Sequence, residues 1–156
     1  MATFREMTAA DIPDVFAVRL STTENTVTKE RLDELGITAR SVADAIQQDA
    51  KGFVCEIGET IAGFVMGDRS TGEVTALAVH PDYEHQGIGK QLLRLIVDWL
   101  LSFGHEELWL LTGADTSFRA YDFYRSQGWQ PTGEFTETND EKLILPLRRS
   151  ADANTN

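Results

Sequence analysis

Residues 73–101, EVTALAVHPDYEHQGIGKQLLRLIVDWLL, read as a strand, a short polar turn, and two glycines opening a long amphipathic helix. The first turn of such a helix has backbone N–H groups without intrahelical acceptors and carries the positive end of the macrodipole. A phosphate or pyrophosphate fits there, and Gly87 and Gly89 let backbone approach an anion with no Cβ between them. The stretch predicts a chain that binds a phosphorylated ligand. Spacing then separates the known phosphate loops. A nucleotide-triphosphatase loop needs a glycine five residues before Gly89 and a Ser or Thr after Lys90, where this chain has Glu84 and Gln91. A dinucleotide fingerprint needs a third glycine, at the position of Leu92.

What remains, Gln86-Gly87-Ile88-Gly89-Lys90, resembles the acyl-CoA loop of the GNAT superfamily of N-acetyltransferases, whose pattern is Gln/Arg-x-x-Gly-x-Gly/Ala. Glu84 stands where that pattern has Gln or Arg, and a carboxylate beside a pyrophosphate is expected to turn to solvent. A second motif follows about thirty residues on. Residues 120–129, AYDFYRSQGW, match the superfamily's Ala-x-x-Phe-Tyr-x-x-x-Gly-Phe/Trp. Ala120, Phe123 and Tyr124 share one helix face, and Gly128 suits a left-handed residue after the helix. The resemblance covers roughly residues 2–147.

Around these motifs, Thr3–Met7 alternates as a short strand, and Thr8 or Asp11 is placed to cap a helix carrying Ile12, Val15, Phe16, Val18 and Leu20. The polar segment 21–28 reads as a loop. Two shorter helices, about 28–35 and 39–50, are interrupted at Gly36. Residues 52–80 read as three strands turning at Gly58-Glu59 and Ser70–Gly72. The long helix, 87–103, is expected to bury Ile88, Leu92, Ile96, Trp99 and Phe103. A strand near 106–112, a helix near 116–127 and strands near 129–136 and 141–147 complete an order β-α-α-β-β-β-α-β-α-β-β. The expected class is α+β, with a mixed, mostly antiparallel central sheet and helices on both faces, as the resemblance also implies. One domain, 1–147, is expected, with a flexible tail over 148–156.

Among 156 residues, 25 acidic against 14 basic side chains give a net charge of −11. Such a surface opposes nucleic-acid binding and would steer a cationic substrate such as a polyamine. No apolar run reaches membrane-spanning length and no N-terminal signal pattern is present. The lone Cys55 fits a reducing compartment, and these readings together point to the cytoplasm. His80, His85 and His105 are scattered, so no metal site is expected.

The resemblance implies acetyl transfer from acetyl-CoA, as co-substrate, to the primary amine of a small molecule or peptide. A catalytically silent CoA-binding regulatory module is the alternative. Carried over residue by residue, the cofactor contacts are Leu77, Ala78 and Val79 on the central strand, His85, Gln86, Gly87, Ile88, Gly89 and Lys90 in the loop, and Ser117, Phe123 and Tyr124 from the second motif. Tyr124 is the expected general acid, with Tyr121 as its substitute. Glu73 is the expected base, with His80 as a further candidate. Arg19, Thr22, Glu24 and Asn25 are placed to line the acceptor mouth, and a buried Arg19 would select an acceptor bearing a carboxylate. The resemblance suggests a homodimer.

Overall fold

A computed structural model describes residues 2–24 and 26–146. Asn25 and the expected tail over 148–156 lie outside the described residues. The elements run β1 (Ala2–Glu6), α1 (Ile12–Ser21), α2 (Lys29–Glu34), α3 (Ala39–Ile46), β2 (Ala50–Ile57), β3 (Thr60–Asp68), β4 (Glu73–Val79), α4 (Ile88–Leu101), β5 (Glu107–Gly113), α5 (Arg119–Ser126), β6 (Gln130–Phe135) and β7 (Asp140–Pro146). Three helices precede β2, where the sequence reading placed one after β1 and two more near 28–35 and 39–50, although the expected order β-α-α counts only two. Seven strands form one sheet, β1-β2-β3-β4-β5-β7-β6. All pairs are antiparallel except β4 with β5.

Local chemistry places these elements. Thr28 and Thr38 cap α2 and α3, accepting from Arg31 N–H and Ser41 N–H, both at 3.1 Å. Thr8 instead caps a 3-10 turn, Ala9–Asp11. Asp11, the other capping candidate, accepts from both terminal guanidinium nitrogens of Arg5 at 2.9 Å, and so ties the entry of α1 to β1.

Each sheet face buries its own apolar set. Leu92, Leu93, Ile96 and Leu100 of α4 pack with Val65, Val74, Leu108, Leu110, Tyr124 and Leu143 on one face. Val15 and Val18 of α1 pack with Val54, Phe64, Met66 and Ala78 on the other. The expected stripe of α4 is corrected at its end. Leu100 is fully buried, whereas Trp99 is half-buried and Phe103 is 44% exposed, its ring edge-on to Trp99 at 5.0 Å. At 3.6 residues per turn the face through Ile88, Leu92 and Ile96 continues to residue 100, and the helix ends at Leu101.

Two features of β4 govern the site. Its register with β3 passes from Met66↔Ala76 to Gly67↔Val74, so Thr75 is the extra residue of a bulge. The bulge resets the alternation: Val74, Leu77 and Val79 face α4, while Ala76 and Ala78 face α1. Glu73, next to Val74, is thereby on the α1 side. The second feature is the contact with β5, paired in register only at Glu73↔Trp109. Beyond that point the two strands part.

Candidate active site

The gap between β4 and β5 opens into a cavity of about 480 Å³. One wall is strand β4. His80 N–H donates to Ala62 O of β3 at 2.8 Å, and backbone groups alternate sides along an extended strand. Those of Val79 and Leu77 therefore face away from β3, across the gap. Their side chains pack toward the core under α4, so it is backbone that this wall offers.

The end of the cavity is the loop entering α4. His85 and Gly87 both have positive φ, 67° and 79°. Left-handed residues within a turn gather successive N–H groups into a concavity for anions. The first helical bond of α4 runs from Gln91 N–H to Gly87 O at 3.1 Å, so the N–H groups of Ile88, Gly89 and Lys90 precede any intrahelical acceptor. A Cβ at Gly89 would lie 3.7 Å from Val79 and 3.8 Å from Phe123. Protein packing does not require a glycine there, and its effect is to leave the cavity wall bare. Splayed backbone, nest and bare wall fit a pantetheine arm ending in a diphosphate.

The opposite wall is α5. Tyr124 lines the cavity with its ring edge-on to Phe123 at 5.2 Å and Trp129 at 6.2 Å. Among the described residues no fully buried side-chain N or O lacks a partner. The Tyr124 hydroxyl has no hydrogen-bond partner among the described residues, and Tyr124 lines the cavity. Burial pushes its pKa up, which keeps it protonated. The helix is anchored behind it by Arg125, which donates to Glu141 at 2.8 and 2.9 Å and stacks 3.7 Å over Tyr121. Tyr121, so occupied, does not line the cavity.

Most of the expected contacts meet here. Leu77, Ala78, Val79, His85, Gly87, Ile88, Gly89, Lys90, Phe123 and Tyr124 line one cavity, together with Arg19, Thr22 and Glu24. Gln86 and Ser117 do not. Ser117 is exposed and turned to Asp115, whose Oδ1 accepts from its N–H at 2.9 Å and its hydroxyl at 2.7 Å. Glu73 does not line the cavity either; it pairs with Trp109, where β4 and β5 still meet. Its pKa is raised by burial and then by Asp68. His80 is used to cap the turn before the loop, accepting from Asp82 N–H at 3.1 Å. Arg19 is half-buried, donates to Thr22 Oγ1 at 3.3 Å, and has its pKa lowered by burial.

Two findings depart from the sequence reading. Glu84 does not turn to solvent: its carboxylate lines the cavity and holds the guanidinium of Arg119 by both oxygens. Arg119, unanticipated, is the largest cause of the lowered pKa of Glu84. The signal for it was Glu84 itself, since an acid beside an expected anion site calls for a neutralising base. Tyr83, Thr112 and Phe118 also line the cavity without having been singled out.

Strands splayed at the centre of a mixed sheet, with an anion nest opening the next helix, define the N-acyltransferase fold. The model of the Acetyltransferase (GNAT) family matches residues 13–129, and the chain belongs to that family. Its fold matches the PaiA N-acetyltransferase of Thermoplasma acidophilum, solved with coenzyme A, at a TM-score of 0.78 and 19% identity over 94% of this chain and 99% of that one. It also matches the ribosomal-protein-S18-alanine N-acetyltransferase of Escherichia coli, at 0.68 and 22% over 94% of each. By sequence it is 33% identical over 107 residues to an amino-acid acetyltransferase of Azotobacter vinelandii, and 31% to one of Pseudomonas putida. Each match takes in 65% of this chain and 24% of the relative, so the likeness spans about a quarter of those proteins. Among the described residues no helix is long and apolar enough to cross a membrane, and no group of three or more His, Cys, Asp or Glu is placed to hold a metal ion.

Proposed function

We propose that this chain transfers the acetyl group of acetyl-CoA directly to the primary amine of a small molecule or peptide. The observation that carries the reading is a single cavity holding the outward backbone of Leu77 and Val79, the nest at His85–Lys90 and the Tyr124 hydroxyl. In this reading the loop amides hold the diphosphate, and the β4 backbone holds the pantetheine arm and polarises the acetyl carbonyl. The amine nitrogen forms a bond to the carbonyl carbon as the carbon–sulfur bond breaks. Tyr124 gives its proton to the departing sulfur, and the proton lost by the amine passes through water to Glu73. Solvent exchange then restores both groups.

Arg19 supports an acceptor that carries a carboxylate beside its amine, since a half-buried guanidinium at the cavity wall matches a carboxylate in charge and fork geometry. The name shared by the relatives from Azotobacter vinelandii and Pseudomonas putida supports an amino acid. The test begins with thermal unfolding in acetyl-CoA, with ATP as control. Ligand at about a hundredfold over its Kd adds roughly 2.7 kcal/mol. Thiol release is then followed with amino acids, peptides and polyamines. A shift with acetyl-CoA alone and turnover on amino acids is expected. No shift at saturating acetyl-CoA overturns the reading, and binding without turnover on any amine makes the chain a silent CoA-binding module.

A further inference from the structure

Three segments distant in sequence meet at the mouth of the cavity through one side chain. Arg119, the first residue of α5, donates from Nη1 to Glu84 Oε1 at 2.9 Å and from Nη2 to Glu84 Oε2. Its Nη1 is 3.3 Å from His85 Nε2. On the other side, its backbone N–H donates to Glu24 Oε1 at 2.9 Å, and its Nε lies 3.8 Å from the same oxygen. Glu24 comes from the loop after α1, and Glu84 and His85 from the loop entering α4. All four residues line the cavity.

The charge at this mouth poses a problem that the backbone does not solve. The loop amides suit a diphosphate, yet Glu84 brings a full negative charge to the same place. An uncompensated carboxylate within a few ångströms of a diphosphate repels it strongly, because like charges at that range are only weakly screened away from bulk water. Arg119 is the cation that meets it, and it is planar, permanently charged and able to serve two oxyanions at once. With its side chain 46% exposed, the guanidinium has room to turn from the carboxylate toward a ligand.

Resting on the acetyl-CoA reading above, we propose that Arg119 is a diphosphate-binding residue of the cofactor site. It supplies from α5 the side-chain charge that the loop lacks at Glu84. On binding, the guanidinium shifts its hydrogen bonds from Glu84 toward the diphosphate, while its backbone N–H stays on Glu24 and keeps the start of α5 in place.

The test is calorimetric binding of acetyl-CoA and of S-acetylpantetheine, which ends before the diphosphate. It compares wild type with Arg119→Ala, Arg119→Lys, Glu84→Gln and the Glu84→Gln/Arg119→Ala pair. Arg119→Ala is expected to weaken acetyl-CoA about tenfold, or about 1.4 kcal/mol, and to leave S-acetylpantetheine within twofold. Glu84→Gln is expected to tighten acetyl-CoA, and in the Arg119→Ala background to restore much of the loss. Arg119→Lys falls between. An unchanged acetyl-CoA Kd in Arg119→Ala overturns the proposal. So does an equal loss for both ligands, which would mean that the side chain only holds α5. A wild-type chain that does not bind acetyl-CoA overturns the cofactor reading itself, and this one with it.

Discussion

The ring of Tyr124 packs edge-on to Phe123 and Trp129 and lines the cavity, and burial raises its pKa. In the proposed transfer, a raised pKa keeps the proton in place until strong negative charge develops on the departing sulfur, as a general acid requires. Tyr124→Phe keeps the ring packing and costs no intramolecular hydrogen bond. It is expected to lower kcat by about 10²–10³, with the KM for acetyl-CoA within about threefold and the thermal midpoint unmoved. Unchanged turnover removes Tyr124 from the chemistry. Glu73 is tuned from two sides, by burial and then by Asp68. A base works deprotonated, so activity should rise with pH through a pKa above the ordinary glutamate range. Asp68→Asn, which takes away the like charge, should move that limb to lower pH, and Glu73→Gln should abolish it. A pH–rate profile unmoved by both changes eliminates Glu73 as the base.

At the scale of elements, the working part is β4, a strand with a bulge at one end and no β5 partner at the other. Its alternation yields a residue-resolved prediction for hydrogen exchange. The amides of Ala78 and His80 face β3 and should be protected throughout. Those of Leu77 and Val79 face the gap, should exchange faster, and should gain protection when acetyl-CoA is added. Equal protection of all four in the free chain would mean that the gap is closed in solution. This element also marks where reading the sequence stops. Gly87, Gly89 and the Phe123-Tyr124 pair were legible because a helix start and a helix face are set by neighbours within a few residues. The bulge at Thr75 was not legible, because only pairing with Met66 and Gly67 creates it, and the facing of Glu73 depends on it. The Glu84–Arg119 pair was equally hidden, since it joins residues 35 positions apart. In α4 the burial of Leu100 rather than Trp99 or Phe103 follows the four-residue spacing through Ile88, Leu92 and Ile96, a local pattern that the expected stripe left at Trp99.

At the scale of the whole molecule, two sheet halves share one parallel seam, and the fold is held at its edges by ion pairs such as Arg5–Asp11. Asp11 is 8% exposed. The Arg5 guanidinium, then the Thr8 N–H, hold its carboxyl at about 2 against an ordinary 3.8, while burial opposes them. A depression of that size is worth about 2 kcal/mol, and the 36% exposure of Arg5 reduces it by solvent screening to about 1–2 kcal/mol. Because the folded pKa is depressed, this stability is fully present above the unfolded value near 3.8 and is lost as pH falls through about 2. Acidification also relieves the self-repulsion of a chain carrying −11 at pH 7 with a pI near 4.6, which bends the stability curve of the whole molecule in a way no single group explains. Comparing wild type with Asp11→Asn removes most of that background, since both chains carry nearly the same remaining charge. Urea unfolding at steps from pH 7 to pH 2 should find Asp11→Asn less stable by about 1–2 kcal/mol down to about pH 4, with the gap closing toward pH 2. A gap that is constant across the range would assign the loss to packing at the entry of α1, and no gap at pH 7 would mean that the pair contributes nothing to holding α1 on the sheet.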